Sequence, residues 1–464
     1  MKHCYTHGGT LRVYTETPDP ARYPAGLALS VHFSLLSPEG EEEKLNGGHG
    51  ILYAPARIDE QDRISPRSLL EPRLLETEGG WLIYAEEALE KGEKEENGGL
   101  VYTFFTEDFC EFSRLGMLSR PETEGKETVL LPPESCEKIV RRWRDPACYP
   151  FRLDPARAEG LPYPLMTGYG DPVVLFFEGR YYYLATNDNR DDIGLWIREG
   201  KTMEQLFSPD NPEKLLLGPD EKHRFVQTFW APEFHFISGK LVILFAVSGV
   251  RWGPRCHVMR YLGGKLTDPA SWSEPVPITK KDGSPLCDDD SITLDMTCFT
   301  VRSGTWAVWS YRRFIGTDRD TGSMLYIARL SGEEPSRLDS EPVLLSRPLF
   351  GWENVDGTIN NEGPYPLVYG GKVYLVYSGG SANRYTYVLG LLTADASEQD
   401  LSDPSVWKKS DAPFLCFRTS PGELGPGHHS FFTDEKGQWY IAYHTVPDHE
   451  STLRCPVLHR LYLE

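Results

Sequence analysis

Four residues of this chain, Asp171, Asp295, Glu362 and His428, stand at matching places in copies of one short pattern. An apolar stretch follows each, then a turn glycine eight or nine residues on, then a second stretch rich in aromatic and β-branched residues. Three carboxyls and an imidazole gathered in one partly dry site cannot all ionise freely. Burial and like charge raise the pKa of one carboxyl, while hydrogen bonds lower another. A protonated carboxylic acid beside an ionised carboxylate is a general acid–base pair. Across a glycosidic bond, the acid would protonate the leaving oxygen and the carboxylate would deprotonate water. Inversion sets the two roughly 6.5–9.5 Å apart, leaving room for that water. Taken singly, each acid reads as an exposed turn residue, as most acids are. Their common phase is what carries the reading. Gly170-Asp171-Pro172 also suggests a fixed turn, because proline restricts the residue before it.

For residues so distant to meet, the chain must repeat. A further copy opens at Trp230-Ala231-Pro232-Glu233, so the anchors fall at 171, 232, 295, 362 and 428, separated by 61, 63, 67 and 66 residues. Each copy reads as a β-hairpin. Another strand follows, as at 193–198, 324–329 and 388–393, and then a short polar turn, as at 203–207, 268–272 and 403–407. Four strands per unit, five units and a near-constant period predict an all-β chain with a five-bladed β-propeller over 161–464. The first strand of each blade would line the axis and set the anchors around one funnel. A β-sandwich is the alternative, and five equal periods speak against it.

The first 160 residues are less regular. Residues 1–120 read as an N-terminal β-rich accessory module, blade-like in part. It has a strand at 26–34, a hairpin at 71–85, a charged exposed loop at 86–97 and a strand at 100–106. Residues 121–160 read as a connecting segment with one helix, Ser135 to Trp143, capped by Ser135. The module either walls off the funnel or only stabilises the fold.

Composition excludes several classes. Lys and Arg number 48 against 68 Asp and Glu, a formal charge of −20. Neither a nucleic acid nor an anionic membrane surface is expected to bind such a chain. The longest apolar run, Leu241 to Val247, is far shorter than the ~20 residues a spanning helix needs. Nine cysteines are scattered with no CxxC pair. Free thiols, together with the lack of an apolar leader near residue 1, give the expectation of a cytoplasmic protein. No cofactor is required by the acid–base chemistry.

The chain resembles glycoside hydrolase family 43. The resemblance rests on Asp171-Pro172, Trp230-Ala231-Pro232-Glu233, Asp295, Glu362-Gly363-Pro364 and Gly425-Pro426-Gly427-His428, in order and at blade spacing, and covers roughly 160–464. It implies a five-bladed propeller acting on arabinofuranosides or xylosides. By that resemblance Asp171 is the general base, Glu362 the general acid, and Asp295 tunes and orients the acid. It also implies a structural calcium at the centre, held through His428 and waters. Asp295-Met296-Thr297-Cys298-Phe299 resembles an arabinofuranosidase-like branch. The implied activity is inverting, exo-acting release of a terminal sugar, α-L-arabinofuranose first, from plant-type oligosaccharides. β-Xylosidase, galactofuranosidase and exo-galactanase activities and a non-catalytic carbohydrate-binding propeller remain as alternatives. His429 stands where many relatives have a small polar residue.

Other candidates flank these anchors. Trp230 and Phe229 could stack on a sugar or pack between blades. Asn187 and Asp188 could hold sugar hydroxyls or only form a turn. Arg312 could neutralise charge near Asp295 or form a surface ion pair. Asp288-Asp289-Asp290 reads as a solvated loop.

Overall fold

The structure is a computed structural model that describes residues 5–144, 150–158, 160–420 and 422–463. Its elements are almost all strands, so the chain is all-β. It divides into two compact units. One comprises Met1–Pro150 with Leu349–Thr358 and Asp411–Gly422, and the other comprises Phe151–Pro348, Ile359–Ser410 and Glu423–Glu464.

Among the described residues, the second unit holds five four-stranded antiparallel sheets. Their leading strands are Tyr169–Phe177, Gln227–Ile237, Ser291–Val301, Asn361–Tyr369 and Leu424–Thr433. Consecutive leading strands lie side by side, and the fifth lies beside the first. In the fifth sheet the outermost strand is Arg152–Arg157, from the start of the unit, paired with Cys455–Tyr462 from its end. Buried aliphatic and aromatic side chains fill the spaces between sheets. Leu184, Ile197, Phe229, Ile243 and Phe245 form one such layer, and Leu244, Val258, Met296, Ala307 and Trp309 another. Each buried Leu or Phe contributes about 1.5–3 kcal/mol. The polar turns are single helical turns capped by Thr202, Asp268 and Asp403, whose side chains accept a backbone N–H.

All five leading strands break at the same place. In each, two residues oppose one across the hairpin: 171–172, 231–232, 295–296, 363–364 and 428–429. The first residue of each β-bulge has positive φ: Asp171 55°, Ala231 45°, Asp295 52°, Gly363 53° and His428 45°. Four of the five are of types that enter this region most readily, namely Asp, His and Gly. The bulge re-aims the side chain out of the regular alternation, and each non-glycine residue held there costs on the order of 1 kcal/mol.

Among the described residues, the first unit has two four-stranded sheets. One pairs Thr128–Leu131, Gly9–Tyr14, His32–Leu36 and Glu42–Lys44; the other runs through Arg67–Thr77, Gly80–Leu89, Leu100–Thr106 and Ser113–Ser119. Phe33, Ile83, Phe104 and Phe109 meet in its core. The second of these sheets carries the same bulge at Glu71-Pro72, with Glu71 at φ 52°. Several expectations are revised here. Residues 26–34 are not one strand: Ala25–Ala28 is a helical turn and the strand begins at His32. Glu86 to Leu89 belong to a strand, with Glu87 buried and paired to Arg57, so the charged loop starts later. The segment after 120 is no plain connection. Its strand closes the first sheet, and its helix, Pro133–Trp143, buries Cys136, Ile139 and Trp143. Pro133 opens that helix with its fixed φ, so Ser135 lies inside the first turn rather than capping it. Seven cysteines are free thiols, while Cys4 and Cys148 lie outside the described residues. Among the described residues, no helix is long and apolar enough to cross a membrane.

Candidate active site

The bulges bring the acids together. Asp171, Asp295, Glu362 and His428 line one cavity of about 440 Å³ in the second unit, with Asp188, Asp192, Trp230, Asn360, Asn383 and Arg454. Glu362 precedes the positive-φ residue of its bulge, whereas Asp171, Asp295 and His428 occupy that position themselves. The acid on the fourth strand is therefore offset by one residue from the other three.

Asp171 is buried among cations and donors. The guanidinium of Arg454 reaches its two oxygens at 3.1 and 3.2 Å, and His428 Nδ1 stands 3.1 Å from Oδ1. The Thr186 hydroxyl donates to Oδ2. Burial opposes ionisation here, but the charges of His428 and Arg454 outweigh it and hold the carboxyl well below the usual range. His428 responds in kind: burial lowers its pKa, yet the facing carboxylates raise it overall. His444 is neutral. Its Nδ1 accepts the Asp171 amide at 3.1 Å, which leaves the proton on Nε2, 2.7 Å from the Ala382 carbonyl. Burial pushes this imidazole down to about 3.

Two glycines make room for this arrangement. A Cβ at Gly170 would collide with the Arg454 guanidinium, and one at Gly363 would lie 3.0 Å from the His428 ring. Gly170 lets the guanidinium lie on the backbone beside Asp171, and Gly363 admits both the bulge and the imidazole.

Glu362 has the opposite environment. It is buried, its Oε1 accepts the Tyr387 hydroxyl at 3.0 Å, and burial followed by the charge of Asp295 pushes it up to about 7. Asp295 is also raised, by burial first. Its Oδ2 accepts the amide of Gly363 at 3.0 Å and the Ser310 hydroxyl at 3.4 Å. Asp295 thus fixes the backbone next to Glu362 and adds negative charge that favours the protonated acid. The cavity holds one carboxylate kept ionised and one carboxyl kept protonated near neutrality, the division general acid–base chemistry needs.

The remaining candidates separate. Trp230 lines the cavity, and its Nε1 donates to Asp192 Oδ2 at 2.8 Å. Phe229 does not line it: the strand's alternation turns Phe229 into the buried layer with Phe225 and Phe245. Asp188 lines the cavity and is clamped by Arg454. Asn187 is buried behind it and donates to Glu213 at 3.2 Å. Arg312 is engaged by Asp320 through two hydrogen bonds of 2.8 Å rather than by Asp295. Arg454, Asp192, His444 and Tyr387 were not among the sequence candidates. They come from second strands and loops, where no repeat phase singles them out.

The calcium implied by the resemblance would be held through His428 and waters, not by a set of side chains. The imidazole Nδ1 faces Asp171, whose oxygens already meet a guanidinium and a hydroxyl. Among the described residues, no group of three His, Cys, Asp or Glu side chains is placed to bind a metal ion. The donor set does not fit a resident ion ligated directly by side chains.

Comparison with known proteins locates this cavity among relatives. The sequence profile of "Glycosyl hydrolases family 43" matches residues 163–463. The chain belongs to that family. An "Extracellular exo-alpha-(1->5)-L-arabinofuranosidase" of Streptomyces avermitilis is 33% identical over 278 residues, 59% of this chain and 54% of that protein. "Alpha-L-arabinofuranosidase B" of Pyricularia oryzae is 32% identical over 281 residues, with the same shares. The chain spans about half the length of these two relatives. An enzyme of Streptomyces chartreusis with the same name as the first is 31% identical over 280 residues, 59% of this chain and 79% of its own. Among solved structures, the crystal structure of an α-L-arabinofuranosidase from Lactobacillus brevis gives a TM-score of 0.56 at 25% identity, covering 66% of this chain and 94% of that one. A thermostable family-43 glycoside hydrolase gives 0.52 at 25% identity, covering 67% and 94%. Family membership places the chain among glycoside hydrolases, whose substrates are carbohydrates. The expectation of a cytoplasmic location is overturned by two of these relatives, which are named extracellular. Scattered, unpaired cysteines do not report the compartment.

Proposed function

We propose that this chain is an inverting, exo-acting glycoside hydrolase that releases terminal α-L-arabinofuranosyl residues from plant-type oligosaccharides. The observation that supports the hydrolytic part of this reading is the opposite displacement of two carboxyls that line one cavity. Asp171 is held ionised by Arg454 and His428, and Glu362 is held protonated by burial. In this reading Asp171 removes a proton from the attacking water and Glu362 gives one to the departing oxygen. Asp295 positions Glu362 through the Gly363 amide. Asp188, Asp192, Asn360 and Asn383 offer hydrogen-bonding groups to the hydroxyls of the bound sugar. The choice of sugar rests on relatives named arabinofuranosidases, two of them also named exo-acting and extracellular. The substrates then lie outside the cell.

The fold proposed with this function is a five-bladed β-propeller, the five sheets of the second unit being its blades. Three features support it: the constant repeat, the adjacency of the leading strands, and the pairing of Arg152–Arg157 with Cys455–Tyr462, which ties the start of the unit to its end.

A panel of 4-nitrophenyl glycosides tests the function. The α-L-arabinofuranoside should be cleaved with a kcat/KM at least about 10-fold above the β-D-xyloside, β-D-galactofuranoside and β-D-galactopyranoside, because specificity is the ratio of those constants. Faster cleavage of another member would move the assignment to that sugar, and cleavage of none would remove the hydrolase reading.

A further inference from the structure

Trp252 is a large aromatic side chain that the cavity does not contain and the core does not claim. It is 43% exposed, on the loop that follows the strand Lys240–Ser248, and its neighbour Val250 is 84% exposed. The ring of Trp252 meets that of Trp230, which lines the cavity, edge to face at 6.5 Å and 68°. Neither partner is loose. The Trp230 Nε1 is tied to Asp192, and the loop is pinned at both ends. Gln227 Nε2 donates to the carbonyls of Gly249 and Val250 at 3.0 and 3.1 Å, and the Gly253 amide donates to Ser248 Oγ at 3.1 Å. Through Trp230 this exposed aromatic face adjoins the wall of the cavity, and ligand sites are shaped by aromatic side chains with a few placed polar groups. Aromatic faces pair with the C–H face of a sugar while hydroxyls keep contact with water.

We infer that Trp252, backed by Trp230, is the platform for the sugar next to the one released, so that it reads the length of the saccharide chain on the leaving-group side. The inference rests on the proposed hydrolase reading. Its occupant is a neutral saccharide ring rather than a protein partner: the aromatic surface is small and continuous with the wall of the catalytic cavity through Trp230, whose indole N–H is held by Asp192. Trp252 touches no reacting atom and is a specificity residue.

The test compares Trp252→Ala and Trp252→Phe with the parent enzyme on two substrates. One is methyl α-L-arabinofuranoside, whose leaving group is too small to reach the platform. The other is α-1,5-linked L-arabinotriose, whose second sugar reaches it. With Trp252→Ala, kcat/KM on the triose should fall about 10-fold, mainly through KM, while the methyl glycoside changes less than about twofold. Trp252→Phe should recover most of the loss, since an aromatic face returns. Equal losses on both substrates would show a structural role, and no loss on either would show an idle side chain. Either result overturns the platform while leaving the hydrolase reading standing. A parent enzyme that cleaves neither substrate overturns the hydrolase reading and the platform with it.

Discussion

Asp171→Asn will lower kcat by about 10³- to 10⁴-fold on every glycoside the enzyme cleaves, with KM changed only a few-fold. Asparagine keeps the size of the side chain and can still accept the Thr186 hydroxyl and one arm of Arg454, so the site stays assembled. What it lacks is a lone pair basic enough to take a proton from water. Water must be deprotonated whatever the leaving group, so aryl glycosides and saccharides should slow alike. Loss of the negative charge also removes the largest of the charges that raise the pKa of His428, ahead of Asp295, Glu362 and Glu233, and that imidazole should then titrate lower. Steady-state kinetics on one aryl and one saccharide substrate, with a thermal melt to confirm folding, check this result. Activity within about tenfold of the parent would remove Asp171 from the role of base.

Glu362→Gln should behave differently, and the difference identifies the acid. Saccharide hydrolysis needs a proton on the departing oxygen and should fall by about 10³-fold or more. An aryl glycoside with a strongly acidic phenol, such as 2,4-dinitrophenol, leaves without help and should lose far less. In the parent enzyme, kcat/KM on saccharides should decline above about pH 7 as Glu362 gives up its proton, and this limb should vanish in the variant on the dinitrophenyl substrate. The same shift has a consequence for stability. Glu362 is raised from 4.5 to about 7 in the folded protein, so between those values the folded state binds more protons than the unfolded one. The parent therefore loses stability as pH rises through that window, and the Glu362→Gln substitution removes the loss. The variant should melt at a higher temperature than the parent at pH 8, and by a smaller margin at pH 5. Uniform loss on both substrates, with no gain in stability at pH 8, would deny Glu362 the role of protonated acid.

Much of this site was legible because it is repeated. The anchors at 171, 295 and 428 are the residues that begin the bulges, since a left-handed residue opposed by half the usual partners recurs wherever the strand must turn a side chain toward a shared centre. The register is imperfect at two copies. Pro232 and Glu362 stand one residue after and one before their positive-φ neighbours Ala231 and Gly363, an offset that hydrophobic patterning does not reveal. Adjacent residues on one strand also part company, as Phe229 and Trp230 do: one enters a core layer and the other the cavity. Arg454 was invisible. It lies in a loop before the last strand, and only the pairing of distant hairpins brings it to Asp171. Arg312 reads from sequence either as a neutraliser of Asp295 or as an ion pair, and Asp320, eight residues on, turns back to meet it. The first unit takes in 349–358 and 411–422, whose buried Phe350, Trp352, Phe414 and Leu415 are apolar out of proportion for surface loops. That composition was the available signal that those segments do not end in solvent.

The account depends on Asp171 and Glu362 acting from opposite sides of one bond with a water between them. Proton NMR of the first sugar released from an α-L-arabinofuranoside, recorded before mutarotation, reads that arrangement directly. The β-L-arabinose anomer should appear first, with the α anomer growing in later. First appearance of the α anomer would mean a covalent intermediate and carboxyls only about 5–5.5 Å apart, and would contradict the roles assigned to both residues.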